Sequence, residues 1–269
     1  MAEPRQAVGV DWASGHWLAV EYRNDEYEDI TVETSFEALW RTFDPKPDQV
    51  LVDVPIGLCD ESDDEFSERG RECDMLARRV LGSRSSSVFT PPARQAAYKA
   101  REEKPHGTVS ETNRELVGKG LSIQAYHIAP GIAELDSFLN PDDDEDKERR
   151  RKRVEEAHPE VCFAAFDDSA LEYAKTSAVG VGERLSAVEN VVDEPGKTFR
   201  AISRDLSRHA DEFDVTAIDA DDVLDAMALA ITASSDENER QTLPENPPRD
   251  SLGLPMQMVY RSEIPFEVG

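Results

Sequence analysis

Hydrophobic and polar positions alternate legibly over the first sixty residues. QAVGVDWA is an apolar run, HWLAVEYRN keeps a period of two, and EYEDITVET follows after a few polar residues. This spacing predicts three consecutive strands joined by tight turns. The period then changes: Phe36, Leu39, Trp40 and Phe43 recur at three- and four-residue intervals, with Thr34 or Ser35 placed to cap a helix. DQVLVDVPIG reads next as a buried strand ending at Pro55, so the order is β-β-β-α-β.

Beyond Gly57 the pattern is helical. In SDDEFSERGRECDMLARRVLG, Ser62 and Glu65 have capping-box spacing and Gly82 supplies a stop. A hydroxyl-rich loop, SRSSSVFTPP, leads to a short helix opened by Pro92 and then to a longer one, capped by Ser122 and kinked at Pro130. DDDEDKERRRKR swings from acidic to basic and reads as a solvated linker or helix entry. VEEAHPEVCFAAF is the candidate for a fifth strand, residues after Gly182 carry one or two helices, and ADDVLDAMALAITA is a compact apolar helix. A short strand is expected over 256–260. The expectation is an α/β protein with a mixed five-stranded sheet flanked by helices. Residues 1–269 would form one domain, 58–140 a helical insertion within it, and 241–269 a Pro-rich tail packed against it.

Composition sharpens this picture in two respects. Of 269 residues, 57 are Asp or Glu and 30 are Lys or Arg, giving a net charge of −27 beside an ordinary 39% of hydrophobic residues. The cations are 22 Arg and 8 Lys; an acidic, Lys-poor surface resembles proteins of salt-loving microbes, so the acidity reads as adaptation first. Three cysteines, Cys59, Cys73 and Cys162, form no CxxC pair and read as small core residues in a reducing cytoplasm. With no signal-like segment and no apolar run of about 18 residues, a cytoplasmic location and no membrane partner are expected.

The chemistry is carried by acids in apolar surroundings. Asp11 interrupts the first strand and Asp53 the fourth, and an unpaired buried carboxylate is costly enough to require an Arg or a metal ion. Each also fits a bland role, capping the turn after its strand. Asp222 and Asp225 share one helical face, with Asp219 a turn earlier; this face can close a metal site or simply be a solvated acidic face favoured by the helix dipole. His158 and Glu160, two apart on the expected fifth strand, would project to one face as accessory ligands or a proton relay, or else mark a structural turn.

These motifs, with R-x-C-D-x-x-A-R from Arg71 to Arg78, LGSRSSSVF, GLSIQAYHI, I-A-E-L-D, EAHPEVCF, Lys175-Thr176 and DDVLDAMALA, resemble the domain-of-unknown-function family numbered 429, described as predicted ribonuclease H-like nucleases. The resemblance spans nearly the whole chain. It implies a ribonuclease H-like fold and metal-dependent phosphodiester hydrolysis. The last helix is also similar to the D-x-x-D-A-L-A helix of Holliday-junction resolvases, with Met227 in place of Leu and Asp225 where a Glu is usual. By that resemblance Asp11, Asp53, Asp222 and Asp225 would hold two Mg²⁺ or Mn²⁺ ions, with Glu160 as a further catalytic acid. Lys175 and Arg184 would neutralise phosphate, and the partners would be a nucleic-acid or nucleotide substrate and a second copy of the chain.

Two rivals stay open. One is an ATP-dependent phosphotransferase of the actin-like fold, which shares the opening strands but needs glycines after the first Asp, where this chain has Trp12-Ala13-Ser14. The other is a non-catalytic nucleic-acid or protein-binding module on a ribonuclease H-like scaffold. Charge adds one more site: Met75 to Arg101 carries six basic residues and no acid. Either the stretch is buried, with its arginines paired to acids elsewhere, or Arg84 with Ser85, Ser86 and Ser87 binds phosphate beside the acids.

Overall fold

A computed structural model describes residues 5–60 and 70–268. Strands β1 (Gln6–Ala13), β2 (His16–Arg23) and β3 (Glu26–Glu33) form the expected antiparallel meander. Helix α1 (Phe36–Thr42), capped by the Ser35 hydroxyl, returns the chain to β4 (Gln49–Val52) on the other side of β1. β4 runs parallel to β1, and β5 (Val154–Glu156) parallel to β4, giving a mixed five-stranded sheet in the order β3-β2-β1-β4-β5. The α/β class and the five strands match the expectation.

Between β4 and β5 lie α2 (Glu72–Leu81), a 3₁₀ turn (Gly82–Ser87), α3 (Arg94–Arg101), α4 (His106–Val117), α5 (Ile123–Leu139) and α6 (Asp144–Arg153). After β5 come α7 (Pro159–Phe166), α8 (Ala178–Glu189), α9 (Pro195–Leu206) and α10 (Ala220–Ser234). The capping box expected at Ser62 and Glu65 lies outside the described residues.

Three expectations are corrected. The fifth strand stops at Glu156, because Pro159 pre-sets a first helical turn and the His158 ring accepts the Glu160 N–H as an N-cap. His158 and Glu160 therefore enter a helix and do not alternate along a strand. The acidic-to-basic segment is helix α6, with acids in its first turn and arginines in its last, as the helix dipole favours; Arg150 and Arg151 hold it by donating to the Phe138 and Leu139 carbonyls. Finally, the short strand near the C-terminus is β7 (Met258–Arg261), and it pairs with an unforeseen β6 (Arg240–Leu243) in a separate two-stranded ribbon.

Period-two alternation sorts the sheet into two faces. Val8, Val10, Trp17, Ala19, Val50 and Val52 pack with Phe36, Leu39 and Trp40 of α1 and Ile132, Leu135 and Phe138 of α5. Ala7, Leu18, Val20 and Leu51 pack on the opposite side with α7, α8, α9 and α10. The acid-bearing positions of β1 belong to this second face, under α10. None of the described helices is long and apolar enough to cross a membrane.

Candidate functional site

Strand register brings the first two acids together. Val10 pairs with Val52 in the parallel β1–β4 ladder, and the Asp53 N–H continues it by donating to the Val10 carbonyl at 2.9 Å. Asp11 and Asp53 thus stand side by side at the same end of neighbouring parallel strands, the edge where open α/β sheets bind ligands. Asp11 is buried and Asp53 half-buried. Neither carboxylate has a hydrogen bond among the described residues.

Helix α10 brings further acids over this edge. It is buried from Val223 to Ser234 and packs along β1, so the alternative of a solvated acidic face is lost for Asp225, which is 2% exposed. Asp222 instead accepts the Asp219 N–H at 2.8 Å and closes a capping box, a largely structural task. The acid that shares Lys175 with Asp225 is Asp221, one turn away at i,i+4. Lys175 Nζ lies between the two, 2.7 Å from Asp225 Oδ2 and 3.0 Å from Asp221 Oδ2. Asp225 Oδ1 is buried without a partner.

The electrostatics follow from burial. Desolvation, with Asp53, Asp225 and Asp222 nearby, raises the Asp11 carboxyl well above the usual range. Burial likewise pushes Asp53 and Asp225 up to about 7, against the opposing pull of the Lys175 ammonium. Lys175 itself is held protonated by these acids, which outweigh its own desolvation.

A cleft of about 340 Å³ joins these residues: Asp11, Asp53, Asp222, Asp225, Lys175, Glu160 and His158 line it, with Arg84, Ser86 and Ser87. Trp12, Phe89, Ile128 and Gln124 complete its walls, none of them singled out by the sequence. Ser85 lies outside; its carbonyl accepts the Val88 N–H in the 3₁₀ turn. Ser87 Oγ donates to the Arg84 carbonyl.

Two expected roles are revised. With His158 Nδ1 accepting the Glu160 N–H, Nε2 carries the proton and faces the Ser87 carbonyl at 3.3 Å; burial lowers the ring's pKa and keeps it neutral. The imidazole tethers the 3₁₀ turn to α7 and has no free nitrogen for a metal or a relayed proton. Arg184 is fully buried, bonded to Glu160 Oε1 and to the Gly180 carbonyl, and cannot reach a phosphate. The second Glu160 oxygen has no hydrogen bond and lies 3.9 Å from Arg84 Nη2.

Beneath the cleft, Arg71 fixes the chain as it leaves β4. Its guanidinium pairs with Asp74 and Glu156 and donates to the Ile56 carbonyl at 3.0 Å, while Glu156 accepts the Ile56 N–H. Cys73, Asp74 and Glu156 are the one group among the described residues whose ligand atoms lie within 4.8 Å of one another. Arg71 already fills it, so it is an ion-paired support and not a metal site. The cleft carboxylates are spaced more openly, with the Lys175 ammonium among them.

The family described as Protein of unknown function (DUF429) has a model that matches residues 9–249. The chain belongs to this family. The match takes in Asp11, Asp53, Arg71, Glu160, Lys175 and all three acids of α10. No curated protein and no solved structure matches the chain.

Donor chemistry tests whether a metal suits the cleft. Three carboxylates with no basic partner of their own, or with a buried orphan oxygen, are hard donors of the kind that hold Mg²⁺ or Mn²⁺. The donor types suit such an ion; their oxygens stand further apart than those of the Cys73–Asp74–Glu156 group and would have to draw together on it. They offer no thiolate or imidazole, which a zinc site would favour.

Proposed function

We propose that this member of the DUF429 family is a metal-dependent phosphodiester hydrolase, a nuclease, built on a ribonuclease H-like scaffold. The observation that carries the reading is the convergence of Asp11, Asp53 and Asp225 from two adjacent parallel strand ends and the last helix of the fold. The strand order β3-β2-β1-β4-β5, with β2 antiparallel to β1, supports the scaffold. On this reading residues 1–269 are one domain and 58–140 its insertion. Fold alone does not imply activity, so the weight rests on the site.

A divalent ion bound there would activate water and stabilise the charge that develops on phosphate. Water adds its oxygen to phosphorus, one ester P–O bond breaks, and a proton ends on the departing oxygen, with no change of oxidation state. The chain's own groups supply the rest. Asp11, Asp53 and Asp225 present the oxygens, and Lys175 and Arg84 bring positive charge to a cleft in a protein of net charge −27. Trp12 and Phe89 give the cleft apolar walls against which a base or sugar can pack.

The test uses the purified full chain and Asp11→Asn. Mn²⁺ binding is measured calorimetrically, and cleavage is followed on labelled single-stranded, duplex and branched DNA and RNA. Saturable binding and ion-dependent cleavage by wild type are expected, both lost in a folded Asp11→Asn. Cleavage that persists in the variant overturns the proposal. Absence of ion binding in wild type overturns it too, and returns the scaffold to a binding module.

A further inference from the structure

Lys175 is not a wandering surface lysine. The segment that carries it is tied down on both sides: the Glu183 carboxylate accepts the N–H groups of Glu172 and Tyr173 at 2.7 and 2.9 Å, and Arg184 donates to the Tyr173 carbonyl. The Ala174 carbonyl accepts both the N–H and the hydroxyl of Ser177, the cap of α8. It also sits so close to Gly180 that a Cβ there would fall 2.0 Å from the carbonyl oxygen, an approach only glycine permits. Arg184 in turn is bonded to Glu160 on the cleft wall. The backbone therefore delivers the ammonium to one place, and little side-chain freedom remains to be lost there.

The carboxylate oxygens of α10 can be followed one by one. Asp225 Oδ2 and Asp221 Oδ2 face Lys175, and Asp222 Oδ2 is engaged by the helix cap. Left without such partners are Asp11 and Asp53, joined by the buried Oδ1 of Asp225 and by Asp222 Oδ1 at the cleft. A second ion in the usual two-ion arrangement, about 3.5–4 Å from the first, would have to compete with the Lys175 ammonium for Asp225 Oδ2, with only the outer oxygen of Asp222 open to it on α10.

We propose that Lys175 is the resident second cation of this site, so that the chain takes one divalent ion, through Asp11, Asp53 and Asp225, where two were expected from the sequence. This rests on the metal-dependent reading above. A fixed ammonium supplies one positive charge and, beyond the N–H given to Asp225, a donor suited to a phosphate oxygen, and a divalent ion beside it would supply the activated water. Expelling Lys175 to admit another ion would break a charge-assisted hydrogen bond to Asp225 and an ion pair with Asp221, which weakens that ion's binding by roughly tenfold or more.

The experiment counts ions on the full chain. Mn²⁺ per chain is measured by native mass spectrometry and calorimetry for wild type and for Lys175→Met, which keeps the side chain's bulk without its charge. One ion is expected in wild type. In Lys175→Met a second is expected, bound at least tenfold tighter than any second site of the wild type. Electron paramagnetic resonance of Mn²⁺-saturated wild type needs no variant. An isolated-ion spectrum is expected, and an exchange-coupled pair overturns the proposal while leaving the metal reading intact. One ion in both proteins also overturns it, since Lys175 would not be what excludes the second. No ion in either removes the metal reading itself, and this proposal with it.

Discussion

Gly9 of β1 lies against the backbone of Ala226 in α10: a Cβ at Gly9 would fall 2.1 Å from the Ala226 carbonyl oxygen and 2.2 Å from the Ala230 nitrogen. Gly9 is two residues before Asp11, and Ala226 directly follows Asp225. The approach that lets the first strand and the last helix pack backbone to backbone is also what brings their acids into one cleft. Gly9→Ala must push the helix away, because backbone atoms cannot rotate aside as a side chain can. The expected cost is about 3 kcal/mol, with Mn²⁺ affinity falling more than tenfold in whatever remains folded. Thermal melts and calorimetry check this; an unchanged melting temperature would show that the packing is looser than described.

Arg71 leads to a second expectation. It is buried between Asp74 and Glu156, and removing it leaves two carboxylates without their cation. Arg71→Met should cost about 3–5 kcal/mol, a drop in melting temperature of roughly 10 °C for a chain of this size. Glu156 is already pushed up to about 7 by burial, so Glu156→Gln in the Arg71→Met background should recover part of the loss. A double variant no more stable than the single one would refute the ion-pair account.

What the sequence reveals about this site depends on contrast. Asp11 and Asp53 stand out because an acid in an apolar strand is expensive and so conspicuous. Their pairing follows from the β-β-β-α-β order, which puts β4 beside β1. The phase of α10 is hidden, since that helix is apolar on nearly every side and offers no polar face against which to orient its acids. Three-residue spacing points to Asp222 and Asp225, and both line the cleft; that Asp222 also caps the helix, and that Asp221 shares Lys175 with Asp225, shows only in the three-residue spacing from Asp219 and the i,i+4 spacing of Asp221 and Asp225. Lys175 lies on a polar loop fifty positions before Asp225, and only the tertiary ties through Glu183 and Arg184 give it a fixed place. His158-Pro159-Glu160 misled because a proline after an apolar pair suits a strand entry as well as a first helical turn; the cap bond decides it.

Burial of the cleft acids fixes the sign of a pH effect. Asp53 rises from 3.8 to about 7 on folding, as does Asp225. Between those values the native state holds protons that the unfolded chain has lost, so stability is full below about pH 4 and declines as pH rises towards 7. In chelator, Asp53→Asn should therefore gain on wild type across that window, by several degrees in melting temperature at pH 7 and by little at pH 4. Mn²⁺ should reverse the trend for wild type alone, because ligands must shed their protons to bind it. A wild type that instead gained on the variant with rising pH, in chelator, would contradict the described burial.

The last prediction concerns the cation at the cleft wall. Of the basic residues between Met75 and Arg101, Arg78 is bonded to the Val88 carbonyl and Thr90, Arg94 to Asp60, Asp136 and Asp250, Lys99 to Thr112 and Arg101 to Ser137. Arg84 differs: its Nε is buried without a hydrogen bond, and its nearest acid, Glu160, is 3.9 Å away, too far for one. The acid-free stretch is thus mostly structural, but at Arg84 the guanidinium lines the cleft, and its Nη groups have no hydrogen bond among the described residues and can meet an incoming phosphate. Replacing a charge-assisted hydrogen bond by nothing costs about 1.5–3 kcal/mol, so Arg84→Ala should weaken oligonucleotide binding roughly tenfold to 100-fold. Mn²⁺ affinity should stay within about twofold, because Arg84 touches none of Asp11, Asp53 or Asp225. High salt is the right condition: a screening length of roughly 3 Å at 1 M removes the repulsion of the acidic surface and leaves direct contacts in place. Fluorescence anisotropy with a labelled single-stranded oligonucleotide reads the first quantity and calorimetry the second. Equal oligonucleotide affinity in wild type and a folded Arg84→Ala would make Arg84 a structural arginine like its neighbours.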